Sequence, residues 1–298
     1  MYEAFFGLTE RPFELTPNPR YLVLTPSHEE ALSNLEYGIR ARKGITLLLG
    51  EAGTGKTTLL RKALSFKLRP NDTSSAGWLY LTNPTLTRQE FFEVLARGFG
   101  LGPGAASSKA QLLRELHDLL RDRHQRGLVS ALIVDEAQSL PHELLEELRL
   151  LANIETDTEK LLPLVLAGQP ELADRLNDPR LRQFKQRIAL RCRLVALTLP
   201  ETASYIATRI RLAGGDAGAV FTRDAVIAVH QASGGIPRTI SVICDNALLT
   251  GFAEDRRPVD ADIVGEVCAD FDVGERPHRP LPIVRRQLAF PPAGGHRP

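Results

Sequence analysis

Residues 45–58 read Ile45-Thr46-Leu47-Leu48-Leu49-Gly50-Glu51-Ala52-Gly53-Thr54-Gly55-Lys56-Thr57-Thr58. Ile45 to Leu49 is a short run, apolar except for Thr46, as expected of a parallel strand covered on both faces. Gly50 to Thr57 satisfies G-x-x-x-x-G-K-[ST] at every defined position. The glycines let such a loop turn tightly, so successive backbone N–H groups converge on a phosphate. Lys56 supplies a point charge for the β- and γ-phosphates, and Thr57 a hydroxyl for Mg²⁺. Lys56 to Leu68 reads as a helix, whose N-terminal partial positive charge also favours an anion. The pattern alone arises by chance in Gly-rich turns. Here it sits between a strand and a helix, and a partner motif follows. Gly50, Glu51, Ala52, Gly53, Thr54, Gly55, Lys56, Thr57 and Thr58 are therefore expected to cradle a nucleotide.

The partner motif is Ala131-Leu132-Ile133-Val134-Asp135-Glu136, a buried strand ending in two carboxylates. Asp135 is expected to hold the metal's water shell, and Glu136 to polarise the attacking water. A strand that simply ends in solvated acids is the blander reading. The guanine-reading pattern N-K-x-D is absent, which favours ATP, with Mg²⁺, over GTP.

Outward from these motifs, strand and helix patterns alternate. Strands are expected at 78–81, 131–134, 162–167 and 193–199, with helices near 87–99, 109–126 and 142–152. Ser27, with Glu30 three residues later, reads as the N-cap of a helix carrying Ala31, Leu32, Leu35 and Ile39. Such alternation implies an α/β sandwich around a parallel sheet. After Pro200 only helical patterns occur, near 201–213, 223–233, 239–253 and 261–271, enough for a small all-helical domain. The expected organisation is an extended segment, 1–26, packed on the ATPase core; an α/β domain, 27–199; a helical domain, 200–273; and a disordered Pro- and Arg-rich tail, 274–298. The turn signals Thr16-Pro17-Asn18-Pro19 support the first of these.

The chain has 298 residues, with 37 basic and 36 acidic side chains, so overall charge selects neither nucleic acid nor membrane. Its three cysteines, Cys192, Cys244 and Cys268, are far apart without zinc-type spacing, as expected of free thiols in a reducing compartment. The N-terminus lacks the basic and apolar regions of a signal peptide, and no run approaches a membrane span. A cytoplasmic protein is expected.

The motif order resembles that of AAA+ ATPases and, more narrowly, of the ExeA type (general secretion pathway protein A and relatives). The resembling residues are Met1-Tyr2 through Phe6-Gly7-Leu8, Pro12-Phe13, Thr16 to Arg20 and Ser27-His28-Glu29-Glu30-Ala31-Leu32. To these are added the phosphate loop, Asp135-Glu136-Ala137-Gln138, Gly168-Gln169-Pro170-Glu171-Leu172 and Gly234-Gly235-Ile236-Pro237-Arg238. The resemblance covers roughly residues 1–270 and implies a P-loop sandwich followed by a helical lid. It makes Gln169 a polar sensor of the γ-phosphate, although many AAA+ proteins carry Asn there; alternatively, Gln169 only caps the helix begun by Pro170. It makes Arg238 a second sensor reaching the phosphates. Between the fourth and fifth strands lie Arg180, Arg182, Lys185, Arg187, Arg191 and Arg193. In the family an arginine here acts in trans on a neighbouring subunit; Arg187 is the choice and Arg182 its competitor, with a solvated basic face as the bland reading. The opening segment and His28 are expected over the adenine, or else form a structural wrap.

ExeA-type secretion ATPases usually continue into a membrane span and a peptidoglycan-binding region, and this chain departs from that pattern. The resemblance therefore implies a homo-oligomer with ATP sites at subunit junctions. It would act as an assembly factor for secretion, pilus or polysaccharide export, peripheral at the inner membrane face through a partner. The alternative is an ATP-dependent DNA-binding regulator like the related transposition ATPases (the MuB/TniB kind), motivated by the basic run and the tail arginines.

Overall fold

The computed structural model describes residues 1–16, 19–65, 77–82 and 85–270. Pro17 and Asn18 of the expected turn, residues 66–68 of the expected second helix, 271–273 of the expected lid and the tail from 274 lie outside them.

Five strands form one parallel sheet in the order β2-β3-β4-β1-β5. They are β1 (Ile45–Leu49), β2 (Trp78–Leu81), β3 (Ala131–Val134), β4 (Leu164–Gly168) and β5 (Ile188–Arg193). The three inner strands are buried along nearly their whole length. Period two explains why they need apolar residues throughout. Ile45, Leu47, Leu132, Val134, Leu164 and Leu166 enter the core on one face, while Leu48, Ile133, Val165 and Ala167 enter the core on the other.

The first face is covered by α3 (Arg88–Gly98), α4 (Pro103–Ser107), α5 (Lys109–Gln125), α6 (His142–Leu151), α7 (Pro170–Arg175) and α8 (Arg182–Lys185). The second is covered by α1 (Pro26–Arg40) and α2 (Lys56–Leu64). A third core belongs to α9 (Leu199–Leu212), α10 (Ala217–Val220), α11 (Arg223–Ser233), α12 (Pro237–Ala253) and α13 (Ala261–Asp270).

Three expectations need correction. The opening segment reaches the α/β layers near its end, where Leu22 packs against the second-face core, but anchors Tyr2, Phe6, Leu8 and Phe13 in this third, all-helical core. Its aromatic rings match the apolar helix faces there, and the Tyr2 hydroxyl donates to the Asp245 carboxylate of α12. The fifth strand is Ile188–Arg193, not 193–199. As an edge strand it alternates: Ala189, Arg191 and Arg193 face out, while Cys192 is buried. Finally, α1 begins at Pro26 with Thr25 at its N-cap, and Ser27 lies inside the first turn. Thr25 makes no capping bond, because its hydroxyl is paired with Ser27 and with His28.

Candidate active site

Because β1, β3 and β4 are parallel neighbours, the residues that follow each emerge at one edge of the sheet. Leu49 pairs with Gly168 and Val134 with Leu166, so Gly50, Asp135 and Gln169 leave side by side. Gly50 N–H donates to Gly168 O at 3.2 Å. The carboxyl edge of an open α/β sheet is where such folds place ligands.

The phosphate loop closes on itself. Thr54 Oγ1 donates to Glu51 O at 2.8 Å, and Gly53 and Gly55 hold φ of 82° and 97°, which a side chain resists. Lys56 is buried and donates from Nζ to Gly50 O (2.8 Å) and Glu51 O (3.0 Å). Burial lowers its pKa, and the carboxylates of Glu136 and Asp135 pull it back up.

Asp135 is held from three sides. Its Oδ2 accepts from Thr57 Oγ1 (2.6 Å) and from the Tyr80 phenol (2.8 Å), and its Oδ1 from Glu136 N–H (3.0 Å). Burial, and then the Asp135 carboxylate, raises the Tyr80 pKa, so the phenol stays a donor.

Glu136 turns the chain with φ 53°, ψ 38°, a left-handed conformation uncommon outside glycine. Its Oε2 accepts from Gln138 Nε2 at 2.5 Å, and Gln138 Oε1 accepts from Gln169 N–H at 3.1 Å. Gln169 occupies the N-cap position of α7, but its side chain makes no capping bond.

His28 is buried beneath the loop, with Nε2 3.1 Å from Thr54 O and Nδ1 2.6 Å from Thr25 Oγ1. A carbonyl only accepts, so Nε2 carries the proton and a neutral ring takes the Thr25 hydroxyl on Nδ1. Burial lowers its pKa, which agrees.

The lid docks on the loop through the start of α12. Arg238 N–H donates to Gly53 O at 3.2 Å, and a Cβ on Gly53 would lie 2.8 Å from Arg238 Cβ. Between loop and lid runs a cleft of about 210 Å³, whose lining includes Lys56, Thr57, Glu136 and Arg238. Leu15, Val23, Tyr205 and Arg209 also line it. Buried Arg209 joins the walls: it donates to Pro12 O (2.6 Å) and Glu14 O (3.2 Å) and to the Tyr205 hydroxyl, and lies over the rings of Phe13, Tyr21 and Tyr205.

Arg187 is elsewhere. It precedes β5, and its carbonyl accepts from Ile45 N–H at 3.4 Å, at the strand-entry edge of the sheet. Five residues of β1 separate it from its own phosphate loop, roughly 16 Å of strand. Two other members of the basic run have local partners: Arg180 pairs with Asp178, and Lys185 donates to Asn177 Oδ1 at 2.6 Å.

Residues 39–176 match the AAA domain family. General secretion pathway protein A of Aeromonas hydrophila is 44% identical over 257 residues, which is 85% of this chain and 45% of that protein. The chain carries an AAA domain and is similar over most of its length to an ExeA-type protein. It spans under half the length of that relative. Among solved structures, the ORC2 protein of Aeropyrum pernix matches at TM-score 0.63 and 19% identity, over 88% of this chain and 71% of its own. Cdc6p of Pyrobaculum aerophilum matches at TM-score 0.62 and 20% identity, over 84% and 68%. The RuvB Holliday junction branch migration motor of Thermotoga maritima matches at 0.52 and 17%, over 81% and 68%. At these identities the likeness is one of fold.

The structure gathers part of the phosphate loop, His28, Glu136 and Arg238 around one cleft, sets Asp135 against Thr57 and Gln169 beside Gly50 at the strand ends, and leaves Arg187 outside. It adds residues that sequence reasoning gave no role: Gln138, Tyr80 and Arg209. Tyr80 carried a faint signal, being a polar-tipped ring inside an otherwise apolar strand. Gln138 had its place in the resembling motif Asp135-Glu136-Ala137-Gln138, which gave it no role.

Proposed function

We propose that the chain binds and hydrolyses Mg-ATP and acts as an oligomeric assembly factor for an envelope secretion, pilus or polysaccharide-export system. The observation that carries the ATPase reading is the chain of contacts Thr57–Asp135–Glu136–Gln138–Gln169 beside Lys56, at the carboxyl edge of the sheet. Thr57 and Asp135 offer hard oxygen donors already 2.6 Å apart, which suits Mg²⁺. Bound there, the ion would neutralise charge on the β- and γ-phosphate oxygens.

The residues then divide the work. Lys56 exchanges its two carbonyl acceptors for phosphate oxygens, and loop N–H groups with the start of α2 bind the rest. Arg238 approaches the phosphates from the lid. Gln169 faces the γ-phosphate from the end of β4. Glu136 takes a proton as the water oxygen attacks the γ-phosphorus and the bond to the ADP oxygen breaks. The adenine ring is assigned to the part of the cleft lined by Leu15, Val23 and Tyr205. His28 supports the loop from beneath. Arg187, remote from its own site, is assigned to a neighbour's γ-phosphate.

The secretion setting rests on the 44% identity to General secretion pathway protein A, and localisation at the inner membrane face through a partner follows from it. No described helix is long and apolar enough to cross a membrane. DNA regulation is the competing reading; the outward-facing Arg191 and Arg193 are its support.

Steady-state ATP hydrolysis should be measured for wild type and Glu136→Gln, with and without duplex DNA. The expected result is wild-type turnover indifferent to DNA, and a variant that keeps ATP binding but turns over about 10²–10⁴-fold more slowly. Undiminished turnover in Glu136→Gln would refute the base assignment. Salt-sensitive stimulation by DNA would replace the envelope role with the regulatory one.

A further inference from the structure

The side chain of Gln138 makes two bonds of opposite sense. Its Nε2–H donates to Glu136 Oε2 at 2.5 Å, and its Oε1 accepts from Gln169 N–H at 3.1 Å. A carboxylate only accepts and a backbone N–H only donates, so the amide has one permitted orientation. A carboxylate in its place would face Glu136 with like charge, and a hydrocarbon would meet neither partner. Asparagine, one methylene shorter, would not span the gap between them.

The surroundings hold this amide in place. The guanidinium of Arg175, on α7, donates to Gln138 O and to Leu140 O (2.6 Å), fixing the turn that carries the side chain. Gly168, the last residue of β4, leaves space that the amide and the Leu172 side chain share: a Cβ there would lie 2.8 Å from Leu172 Cδ2 and 2.9 Å from Gln138 Oε1. Glu136 sits on a left-handed backbone at the bend out of β3, so its carboxylate is aimed by a conformation that neighbouring contacts must maintain. Gln138 is the side chain that bonds the carboxylate and, through the same planar group, the end of β4.

We propose that Gln138 is a positioning residue that couples the water-activating carboxylate to the phosphate-facing end of β4. Any displacement of the Gln169 backbone is passed through one rigid amide to Glu136. The proposal rests on Glu136 acting as the base; it adds that the base is not set by its own backbone alone.

The test is a mutant cycle on the full chain. It reads affinity for a fluorescent ATP analogue, steady-state kcat and KM, and single-turnover hydrolysis of labelled ATP. Gln138→Leu should lower kcat by about 10²-fold, the cost of a misplaced reacting group, while ATP affinity changes less than about twofold. Gly168→Ala should lower kcat without altering Gln138 itself, and Gln138→Glu, which keeps the size but sets a like charge against Glu136, decides the matter if Gln138→Leu does not fold by thermal melting. The double variant Glu136→Gln/Gln138→Leu should be no slower than Glu136→Gln alone, because groups acting as a unit are not additive. If Gln138→Leu slows the Glu136→Gln background by the factor it shows in wild type, Gln138 acts by another route and the proposal is overturned. If Glu136→Gln stalls while Gln138→Leu and Gly168→Ala turn over normally, the proposal fails and the base assignment survives. If Glu136→Gln itself turns over normally, both fail.

Discussion

His28 illustrates how a residue can be found by sequence and understood only in place. Its ring is enclosed, with one nitrogen on the phosphate loop and the other on Thr25. Burial lowers its pKa below the ordinary 6.5, so as pH falls the unfolded chain takes the proton first. The stability His28 contributes is therefore complete above 6.5 and lost as pH falls through the lower folded value. Urea midpoints between pH 7.5 and 5 should fall more for wild type than for His28→Gln; parallel curves would show the ring is not kept neutral by the fold. The phosphate loop and the Asp135-Glu136 pair were legible because their chemistry is carried by contiguous residues at fixed spacing. Gln138, Tyr80 and Arg209 were not, because each works through a partner that only the fold supplies: Gln169 lies 31 positions from Gln138, and Asp135 lies 55 from Tyr80.

At the scale of elements, the inner strands were readable from unbroken apolar runs, since both of their faces are covered. The fifth was misplaced for the complementary reason. Leu194 and Leu197 form an apolar stretch that resembles a strand, yet they are buried on the way to the lid, where Leu197 N–H donates to Gly235 O at 2.8 Å. The true edge strand hides behind exposed arginines. The opening segment shows the same limit: its aromatic residues announced burial but not against what. Arg209 fastens that segment to α9 through the carbonyls of Pro12 and Glu14. Arg209→Met should lower unfolding free energy by about 2 kcal/mol, since charge-assisted bonds are lost and the buried Pro12 carbonyl goes unpaired. Limited proteolysis should then cut within residues 9–16 faster than in wild type. An unchanged cleavage rate would show that the aromatic anchors suffice.

For the whole molecule, Arg187 and the phosphate loop sit at opposite edges of one sheet. An arginine so placed completes an ATP site only by presenting itself to another copy. Arg187→Ala should keep ATP affinity and lose turnover, and Glu136→Gln should do the same for a different reason. Mixed in equal amounts, the two variants should regain part of the wild-type rate, because junctions form in which an intact base meets an intact arginine. No recovery on mixing, at concentrations where wild-type specific activity has reached its plateau, would remove Arg187 from the mechanism and direct the same experiment to Arg182.

The bond between Tyr2 and Asp245 spans 243 positions of the chain. A ribosome adding about 5–20 residues per second needs on the order of tens of seconds to produce the second partner after the first. Through that interval Phe5, Phe6 and Phe13 have emerged while the helices that will bury them have not. The nascent chain thus carries an aromatic cluster with no home. Chaperones that hold exposed apolar segments should engage it early and let go only when α12 and α13 have been made.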